Sequence, residues 1–409
     1  MEERRKLVTS TKKWFILSAA ILLVTLVMAS CSPAAPAPAP APVPAPTVTV
    51  TTPAPAPAPA PTVTVTTTVP VPTPKPTPTP TPQPASLNGA GATFPAPLYT
   101  KWFDEYFKIT GVKINYQAIG SGGGITQITE GTVDFGASDG IMTAEQIAKA
   151  AAAHGPILHI PMTSGAVAVI YNLAGITSGQ LKLTGDVLAD IYLKKITKWN
   201  DPRITALNPG LNLPDAAIAV VHRSDGSGTT FIFTNYLAKI SADWSTKVGN
   251  ATSVNWPGDV GGQGNAGVAG QVQQLPNSIG YVELAYALQN KLSWAKMKNQ
   301  AGNYVEPTLA STTKAAEGVT LPDDMKVMLT NSANTDAYPI VGFTWILAYA
   351  DQTDKAKGEA LVKMLWWAIH DGQQYTEAPS YAKLASIAAT KAETQILSIK
   401  YQGQPLLSR

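Results

Sequence analysis

The sequence predicts an α/β architecture of two lobes, and three observations support this. Strand-like apolar runs alternate with amphipathic helical patterns from residue 86 onward, which is typical of α/β folds with largely parallel sheets. This part of the chain is about 324 residues long, which exceeds the usual single core, so two lobes are expected. Four loops rich in glycine and hydroxyls lie beside strands and helix starts, where such sheets bind ligands.

Residues 1–30 are predicted to be an export signal. A basic segment at residues 1–13 precedes an apolar run from Trp14 to Met28. Two small residues then follow before Cys31, the only cysteine. This spacing is similar to a bacterial lipoprotein box, so Cys31 is predicted to carry lipid. The alternative is an uncleaved anchor, since residues 14–28 are close to the length that spans a membrane. Both place the rest of the chain outside the cytoplasm. A single cysteine permits no intramolecular disulfide.

The charge balance argues against a nucleic-acid surface. The chain has 30 Lys and Arg against 27 Asp and Glu, but five of those basic residues and two of those acidic residues lie in the signal. The remainder therefore has 25 of each and no net charge, whereas nucleic-acid binding favours a basic excess.

Residues 31–85 begin with Cys31 and continue as low-complexity Pro, Ala, Thr and Val. Such a segment cannot bury a core and favours a polyproline-like spacer. At about 3.1 Å per residue it would reach on the order of 160 Å. A stalk that carries residues 86–409 away from the membrane and a spacer of arbitrary length are both consistent with it.

The elements of residues 86–409 follow from periodicity. Leu98 to Lys108 is a predicted amphipathic helix with Pro97 in its first turn and Gly111 after its end. A strand over 112–116 and a glycine loop with a short helix follow. The next predictions are a strand over 133–138, a helix over 143–153, buried strands at 157–161 and 167–171, an apolar run at 218–221, and a helix through Ile240.

The four loops together have the chemistry of an oxyanion site. Three of them open helices, whose first N–H groups and positive dipole ends favour anions, and the fourth brings a carboxylate. They are Gly91-Ala92-Thr93-Phe94-Pro95, Gly120-Ser121-Gly122-Gly123-Gly124, Ser138-Asp139-Gly140 and Arg223-Ser224-Asp225-Gly226-Ser227-Gly228-Thr229-Thr230.

Two carboxylates of these loops each have two interpretations. Asp225 either pins the Arg223 guanidinium or caps the following helix. Asp139 either caps the turn at Gly140 or faces the anion. A carboxylate beside an anion is repulsive unless the ligand carries a proton, as hydrogen phosphate does and sulfate at neutral pH does not. In the second interpretation Asp139 therefore selects a protonated oxyanion.

The loop sequences and several segments between them resemble the phosphate-binding proteins of high-affinity phosphate ABC transporters. The resemblance runs from Ser86 to about residue 395. The matching segments are 89–97, 119–123, 133–139 and 223–229, with further matches at Asp190-Ile191-Tyr192-Leu193, Lys198-Trp199-Asn200-Asp201, Leu207-Asn208-Pro209-Gly210-Leu211 and Ile279-Gly280-Tyr281-Val282-Glu283.

The resemblance implies a type II periplasmic-binding-protein fold, with two lobes joined by a double crossover and phosphate between them. It implies lobe 1 at about 86–166 plus 341–409 and lobe 2 at about 167–340, with crossovers near Ala166–Asn172 and Ile340–Leu347. By this likeness the phosphate-binding residues are Thr93, Phe94 through its backbone N–H, Ser121, Asp139, Arg223, Ser227, Gly228 through its backbone, and Thr229. Gly122 and Ser224 stand where serine and alanine are common.

The resemblance further implies a monomeric binding protein that delivers phosphate to ABC permease subunits at the outer face of the cytoplasmic membrane. No HExxH, paired-cysteine or Walker motif is present in the sequence, so neither a metal nor a nucleotide is indicated, and no enzyme activity or cofactor is expected. Three other functions remain as alternatives. A hydrolase is suggested only by Asp225-Gly226-Ser227-Gly228 with His222 nearby, although no positioned base is evident. A receptor for sulfate or molybdate conflicts with Asp139, and an adhesive surface lipoprotein is suggested only by the spacer.

Overall fold

The computed structural model describes residues 85–258, 260–317 and 319–408. The predicted signal, Cys31 and nearly all of the predicted spacer lie outside these residues. Within the described part of the chain, no helix has both the length and the apolar character needed to cross a membrane.

A mixed β-sheet forms the centre of the described residues, whose strands and helices are numbered in chain order. Its neighbouring strands are, in spatial order, β2 (Ile114–Ala118), β1 (Leu87–Gly91), β3 (Phe135–Ser138), β12 (Val341–Tyr349), β4 (Ile157–Asn172), β8 (Ser278–Glu283), β6 (Ala219–Arg223) and β7 (Val260–Gly262), with β9 (Ser293–Trp294) also paired to β4. Two small sheets accompany it, namely β11 (Tyr304–Val305), β10 (Lys296–Lys298) and β5 (Lys182–Leu183), and β13 (Asp351–Gln352), β14 (Lys400–Tyr401) and β15 (Gln404–Pro405).

Helices cover this sheet and connect its strands. They are α1 (Ala96–Thr110), α2 (Ser121–Thr129), α3 (Ala144–His154), α4 (Gly185–Tyr192), α5 (Pro202–Leu207), α6 (Gly228–Ile240), α7 (Ala242–Lys247), α8 (Gly264–Gln274), α9 (Leu284–Gln289), α10 (Leu309–Ala316), α11 (Lys355–Ile369) and α12 (Ser386–Leu397), with a 3₁₀ helix at Asp371–Tyr375. The alternation of helices and strands confirms the predicted α/β class.

The first helices match the sequence patterns that predicted them. α1 has Pro97 in its first turn and ends at Gly111, whose φ of 71° is left-handed and whose N–H donates to the carbonyl of Phe107. Its apolar stripe, including Trp102, is buried. α3 begins after Thr143, which forms a capping box with Gln146. The predicted helices over 98–108 and 143–153 are therefore confirmed to within two residues at each end.

Parallel pairing occurs on both sides of the sheet and antiparallel pairing at its centre. β1 pairs in parallel with β2 and β3, and β6 does so with β7 and β8. β12 runs antiparallel to β3 and β4, and β4 runs antiparallel to β8. The predicted largely parallel sheet is therefore wrong at the centre. A strand buried on both faces has a continuous apolar sequence in either direction, so composition does not reveal its polarity.

β4 is one strand of 16 residues where the sequence predicted two. Polar residues between the two predicted strands pair with a distant segment. Thr163 Oγ1 donates to the carbonyl of Ala382 at 2.6 Å, and the N–H of Ala382 donates to the carbonyl of Ser164 at 2.9 Å. Ile157 to Ala166 of this strand pair with β12, and Val167 to Asn172 pair with β8. β4 thus links the β1–β3 side of the sheet to the β6–β8 side.

Candidate functional site

The predicted ligand loops meet at the carboxyl ends of five parallel-paired strands. β1, β2 and β3 end at Gly91, Ala118 and Ser138, and β6 and β7 end at Arg223 and Gly262. Loops from the two sides contact each other directly, because the N–H of Gly122 donates to the carbonyl of Gly226 at 2.9 Å. The structure therefore brings together loops that are up to about 130 residues apart in the sequence, as expected for the ends of parallel strands.

Ser121 lies at the contact between the two sides. It is the first residue of α2 and is fully buried. Its Oγ accepts the N–H of Gly228 at 2.9 Å and the N–H of Asp139 at 3.2 Å, and it lies 3.5 Å from Asp139 Oδ2. Three of the predicted site residues are thus in mutual contact. Ser121 and Asp139 come from the β1–β3 side of the sheet, and Gly228 comes from the β6–β8 side.

Asp139 is a buried carboxyl whose side chain faces the other loops. It is 1% exposed, and its Oδ1 accepts a hydrogen bond from Thr344 Oγ1 at 2.9 Å. Burial raises the pKa of Asp139 from 3.8 to about 7, against the opposing effects of the Thr344 hydrogen bond and the charge of Arg223. The turn is capped by Ser138 instead, whose Oγ accepts the N–H of Gly140 at 3.0 Å. The geometry therefore favours the interpretation of Asp139 as a site residue over that of a turn cap.

Arg223 is a buried guanidinium with one edge already engaged. Its Nε and Nη2 donate to the two carboxylate oxygens of Asp225 at 2.7 and 2.6 Å, and the Arg223 side chain is 1% exposed. The third nitrogen, Nη1, lies 3.4 Å from Thr229 Oγ1. Of the two roles considered for Asp225, pinning the guanidinium is the one observed, since Ser227 caps the helix. The pair leaves Nη1 directed toward the threonine.

Ser227 and Gly228 form the start of α6. Ser227 is the N-cap residue, and its Oγ accepts the N–H of Thr230 at 3.0 Å. Gly228 lies against Ser121 and Asp139 so closely that an added Cβ would overlap both side chains. A glycine is therefore required where this helix start meets the opposite side.

Thr93 and Thr229 are joined by Asn265, a residue that sequence reasoning missed. Nδ2 of Asn265 donates to Thr93 Oγ1 at 2.9 Å and to Thr229 Oγ1 at 3.0 Å. The missed segment, 260–267, has the same signal as three of the four predicted loops, because it is rich in glycine and opens a helix. Applying that criterion to the whole chain would have found this fifth loop.

The backbone of the Thr93–Phe94 segment is held by two tyrosines that the sequence also did not indicate. Tyr286 Oη donates to the carbonyl of Thr93 at 2.6 Å, and Tyr381 Oη lies 2.6 Å from the carbonyl of Phe94. The carbonyl of Thr93 and the N–H of Phe94 belong to one peptide group, so Tyr286 helps to orient the predicted N–H donor. The Phe94 ring is buried.

Glu283 is a second buried carboxyl beside this segment. Its Oε2 accepts the N–H of Ala285 at 2.8 Å and lies 2.9 Å from Tyr381 Oη. Burial raises the pKa of Glu283 well above its usual value, and the charge of Asp139 adds to the effect. The Tyr381 hydroxyl lies within hydrogen-bonding distance of both the Phe94 carbonyl and Glu283 Oε2. Burial therefore favours the neutral form of the Glu283 carboxyl, whereas the contact with Tyr381 favours the charged form.

The hydrolase interpretation has no geometric support. The His222 ring stacks on Trp256 with centroids 4.8 Å apart, and its Nδ1 faces the carbonyl of Arg223 at 3.0 Å. Ser227 Oγ is occupied by the helix cap, so neither residue forms the pair that a serine nucleophile needs. Among the described residues, no group of three or more His, Cys, Asp or Glu side chains could hold a metal ion.

The chain is similar to a known family and to known sequences. A model described as a PBP superfamily domain matches residues 76–363. A phosphate-binding protein PstS of Xylella fastidiosa is 47% identical over 300 residues, which are 73% of this chain and 81% of the relative. The phosphate-binding protein PstS of Pasteurella multocida is 46% identical over 312 residues, covering 76% of this chain and 89% of the relative.

Solved structures of similar fold were also found. A high-affinity periplasmic phosphate-binding protein (PfluDING) bound with phosphate has a TM-score of 0.62 at 22% identity, covering 79% of this chain and all (100%) of that chain. A phosphate-binding protein from Stenotrophomonas maltophilia has a TM-score of 0.60 at 20% identity, covering 76% and 93%. At these identities the likeness concerns the fold alone, and it supports the predicted two-lobe α/β architecture.

The fold and the site define a two-lobe solute-binding protein of the PBP superfamily, a class that binds ligands and is not an enzyme. By the identity and coverage of its relatives, this chain belongs to the PstS family of phosphate-binding proteins.

Proposed function

We propose that this protein binds inorganic phosphate between its two lobes and delivers it to the permease subunits of an ABC importer. The observation that carries the proposal is that Ser121 and Asp139 from one side of the sheet meet Gly228 from the other side. The Arg223 guanidinium and the Thr229 hydroxyl lie together beside this meeting point, 3.4 Å from each other. Many neutral donors, one cation and one carboxylate suit a small oxyanion that carries a proton.

In the proposed complex all eight predicted residues bind phosphate, namely Thr93, Phe94, Ser121, Asp139, Arg223, Ser227, Gly228 and Thr229. Phosphate oxygens would accept the Gly228 N–H in place of Ser121 Oγ, which would release the Ser121 hydroxyl to donate as well. Asp139 would accept the ligand's proton. A cavity of about 300 Å³, lined by Thr93 and Ile119 from one side and Asp225, Gly264 and Tyr286 from the other, would give the ligand access.

The proposed lobes follow the linking strands. Lobe 1 comprises about 86–166 and 341–409, and lobe 2 about 167–340. Residue 166 is where the pairing of β4 changes from β12 to β8, which supports a hinge there. Closure of the lobes over phosphate would alter the surface shown to the permease. We further propose that Cys31 is lipidated and holds a monomeric receptor at the outer face of the cytoplasmic membrane, with residues 31–85 as a spacer.

Titration calorimetry with phosphate and sulfate tests the proposed function. Phosphate is expected to bind tightly and sulfate at least about 100-fold more weakly, because Asp139 repels a ligand without a proton by several kcal/mol. A protein that binds neither anion, or both equally, would refute phosphate specificity. Release of phosphate from aryl phosphates, abolished by Ser227→Ala, would instead indicate a hydrolase.

Gly228→Ala is expected to weaken phosphate binding at least about tenfold, because the added Cβ would overlap Asp139 Oδ2 and Ser121 Oγ and hold the two sides apart. The measurement is calorimetry at equal fractions folded. Gly270→Ala is the matched control, since Gly270 also lies in a helix and has open space around its Cβ position. Equal affinities of the two variants would show that the sides do not need to approach this closely.

A further inference from the structure

Asn265 lies between two threonines of the proposed ligand site, although it belongs to none of the four predicted loops. It is fully buried at the start of α8. Its Nδ2 reaches Thr93 Oγ1 at 2.9 Å on one side of the sheet and Thr229 Oγ1 at 3.0 Å on the other. A single carboxamide therefore contacts hydroxyls of both lobes.

The orientation of this carboxamide is fixed by the backbone. Oδ1 of Asn265 accepts the N–H of Glu283 at 2.9 Å. A backbone N–H can only donate, so the oxygen of the carboxamide must face Glu283 and the NH₂ must face the threonines. The backbone N–H of Asn265 also donates to Thr93 Oγ1, at 3.3 Å.

This arrangement determines where the hydroxyl protons can go. Each threonine Oγ1 already accepts at least one N–H, and Thr229 Oγ1 also lies 3.4 Å from Arg223 Nη1. A hydroxyl that accepts from these donors keeps its own proton for another acceptor. Both hydroxyls are therefore left as donors toward the ligand site, and Asn265 achieves this without adding a charge.

We infer that Asn265 is a positioning and specificity-determining residue of the phosphate site. It orients the hydroxyls of Thr93 and Thr229 so that both donate to the anion, and it links the two lobes when they are closed. Ligand atoms that carry protons are excluded from these two positions, so the proton of hydrogen phosphate is directed to Asp139. The inference rests on the proposed phosphate binding.

The first experiment measures phosphate affinity in Asn265→Ala by calorimetry. An affinity about 10- to 100-fold weaker than wild type is expected, because two donors of the ligand lose their orientation and a link between the lobes is lost. Asn299→Ala is the matched control. Asn299 is also buried, donates from Nδ2 to the carbonyls of Thr335 and Ala337, and accepts the N–H of Asn303, but it lies outside the site. Its variant should keep wild-type affinity.

A double-mutant cycle distinguishes an action through the hydroxyls from general destabilisation. In the Thr229→Val background, the effect of Asn265→Ala on phosphate affinity is expected to be at least about threefold smaller than in wild type, because one oriented hydroxyl is already absent. Asn299→Ala should combine additively with Thr229→Val. Additivity of Asn265→Ala with Thr229→Val, or wild-type affinity in Asn265→Ala, would overturn the inference.

Failure of the inference is distinguishable from failure of the proposed function. Wild-type protein that does not bind phosphate contradicts the function, whereas normal wild-type binding with an additive cycle contradicts only the role of Asn265. If Asn265→Ala does not fold, Asn265→Ser takes its place in the same cycle, since the serine hydroxyl is too short to bridge both threonines. Additive effects of Asn265→Ser and Thr229→Val on phosphate affinity would likewise overturn the inference.

Discussion

Replacing Arg223 with alanine is expected to weaken phosphate binding by about 30- to 5,000-fold, the range that corresponds to about 2–5 kcal/mol for truncating a buried charged partner. The side chain is 1% exposed, so water cannot substitute for it. The variant would also leave the carboxylate of Asp225 without the guanidinium that engages both of its oxygens. That carboxylate, only 15% exposed, would then repel the anion.

The control for this variant is Arg203→Ala, which removes an arginine of similar local pairing. Arg203 also bonds a carboxylate two residues away, Asp201, but its side chain is 46% exposed. Exposed ion pairs contribute little, so phosphate affinity should remain at the wild-type value. Calorimetry of both variants at equal fractions folded separates the two cases. Near wild-type affinity in Arg223→Ala would remove this residue from the site.

The location of the site could be predicted from the sequence because it depends on local patterns. Glycine and hydroxyl residues after strands and before helices indicate anion-binding helix starts wherever they occur. The carboxyl ends of parallel strands then bring such loops together, as they bring Ser121 to Gly228. The pairing of Arg223 with Asp225 lies within three residues, so the sequence could also offer it as one of two roles.

The residues that support the site could not be predicted in this way, because their contacts are distant in sequence. Asn265 meets Thr93 across 172 residues, Thr344 meets Asp139 across 205, and Tyr381 meets the Phe94 carbonyl across 287. Thr344 and Tyr381 lie in or beside apolar elements, where nothing local marks them as functional. The glycine-rich loop before Asn265 could have been noticed, but not the contact of this side chain with Thr93 and Thr229. Only the folded arrangement of the central strands places them beside the loops.

The direction of the central strands was hidden for a related reason. β4 and β12 are buried almost throughout, so their sequences lack a regular alternation of apolar and polar residues. The polar residues between the two predicted strands pair with Ala382 from the far end of the chain. The apolar runs therefore identified two parts of β4, but not their continuity or the direction of the strand.

Asp139→Asn is expected to reduce the preference for phosphate over sulfate by at least about tenfold. The cause would be stronger binding of sulfate and not destabilisation of the folded protein. Asparagine has nearly the shape of aspartate, and its oxygen can still accept from Thr344 Oγ1. Its NH₂ would donate to an unprotonated oxyanion, where the carboxylate of Asp139 repels one. Calorimetry with both anions at about pH 8 measures the ratio, because the carboxyl is then mostly ionised.

The same variant is expected to change how stability depends on pH. Burial raises the pKa of Asp139 from 3.8 to about 7, so the folded protein holds this proton more tightly than the unfolded chain. That stabilisation is complete below about pH 4 and is lost as the pH rises through about 7. The asparagine side chain of the variant does not titrate. The free energy of unfolding of Asp139→Asn, relative to that of wild type, should therefore increase as the pH rises. The increase between low pH and pH 8 should be about 1–3 kcal/mol.

The pH dependence of sulfate affinity tests both the anion preference and the protonation of Asp139. As the pH falls from about 8 to about 5.5, the carboxyl of Asp139 becomes protonated and able to donate, so wild-type affinity for sulfate should rise. In Asp139→Asn this dependence should largely disappear. Asp134→Asn is the control. Asp134 immediately precedes β3, which Asp139 immediately follows, but the Asp134 carboxylate bonds Lys357 and the N–H of Asn88 outside the site. If wild type and Asp139→Asn show the same sulfate affinity at every pH, Asp139 does not select the protonated anion, and the specificity of the site must come from its donors.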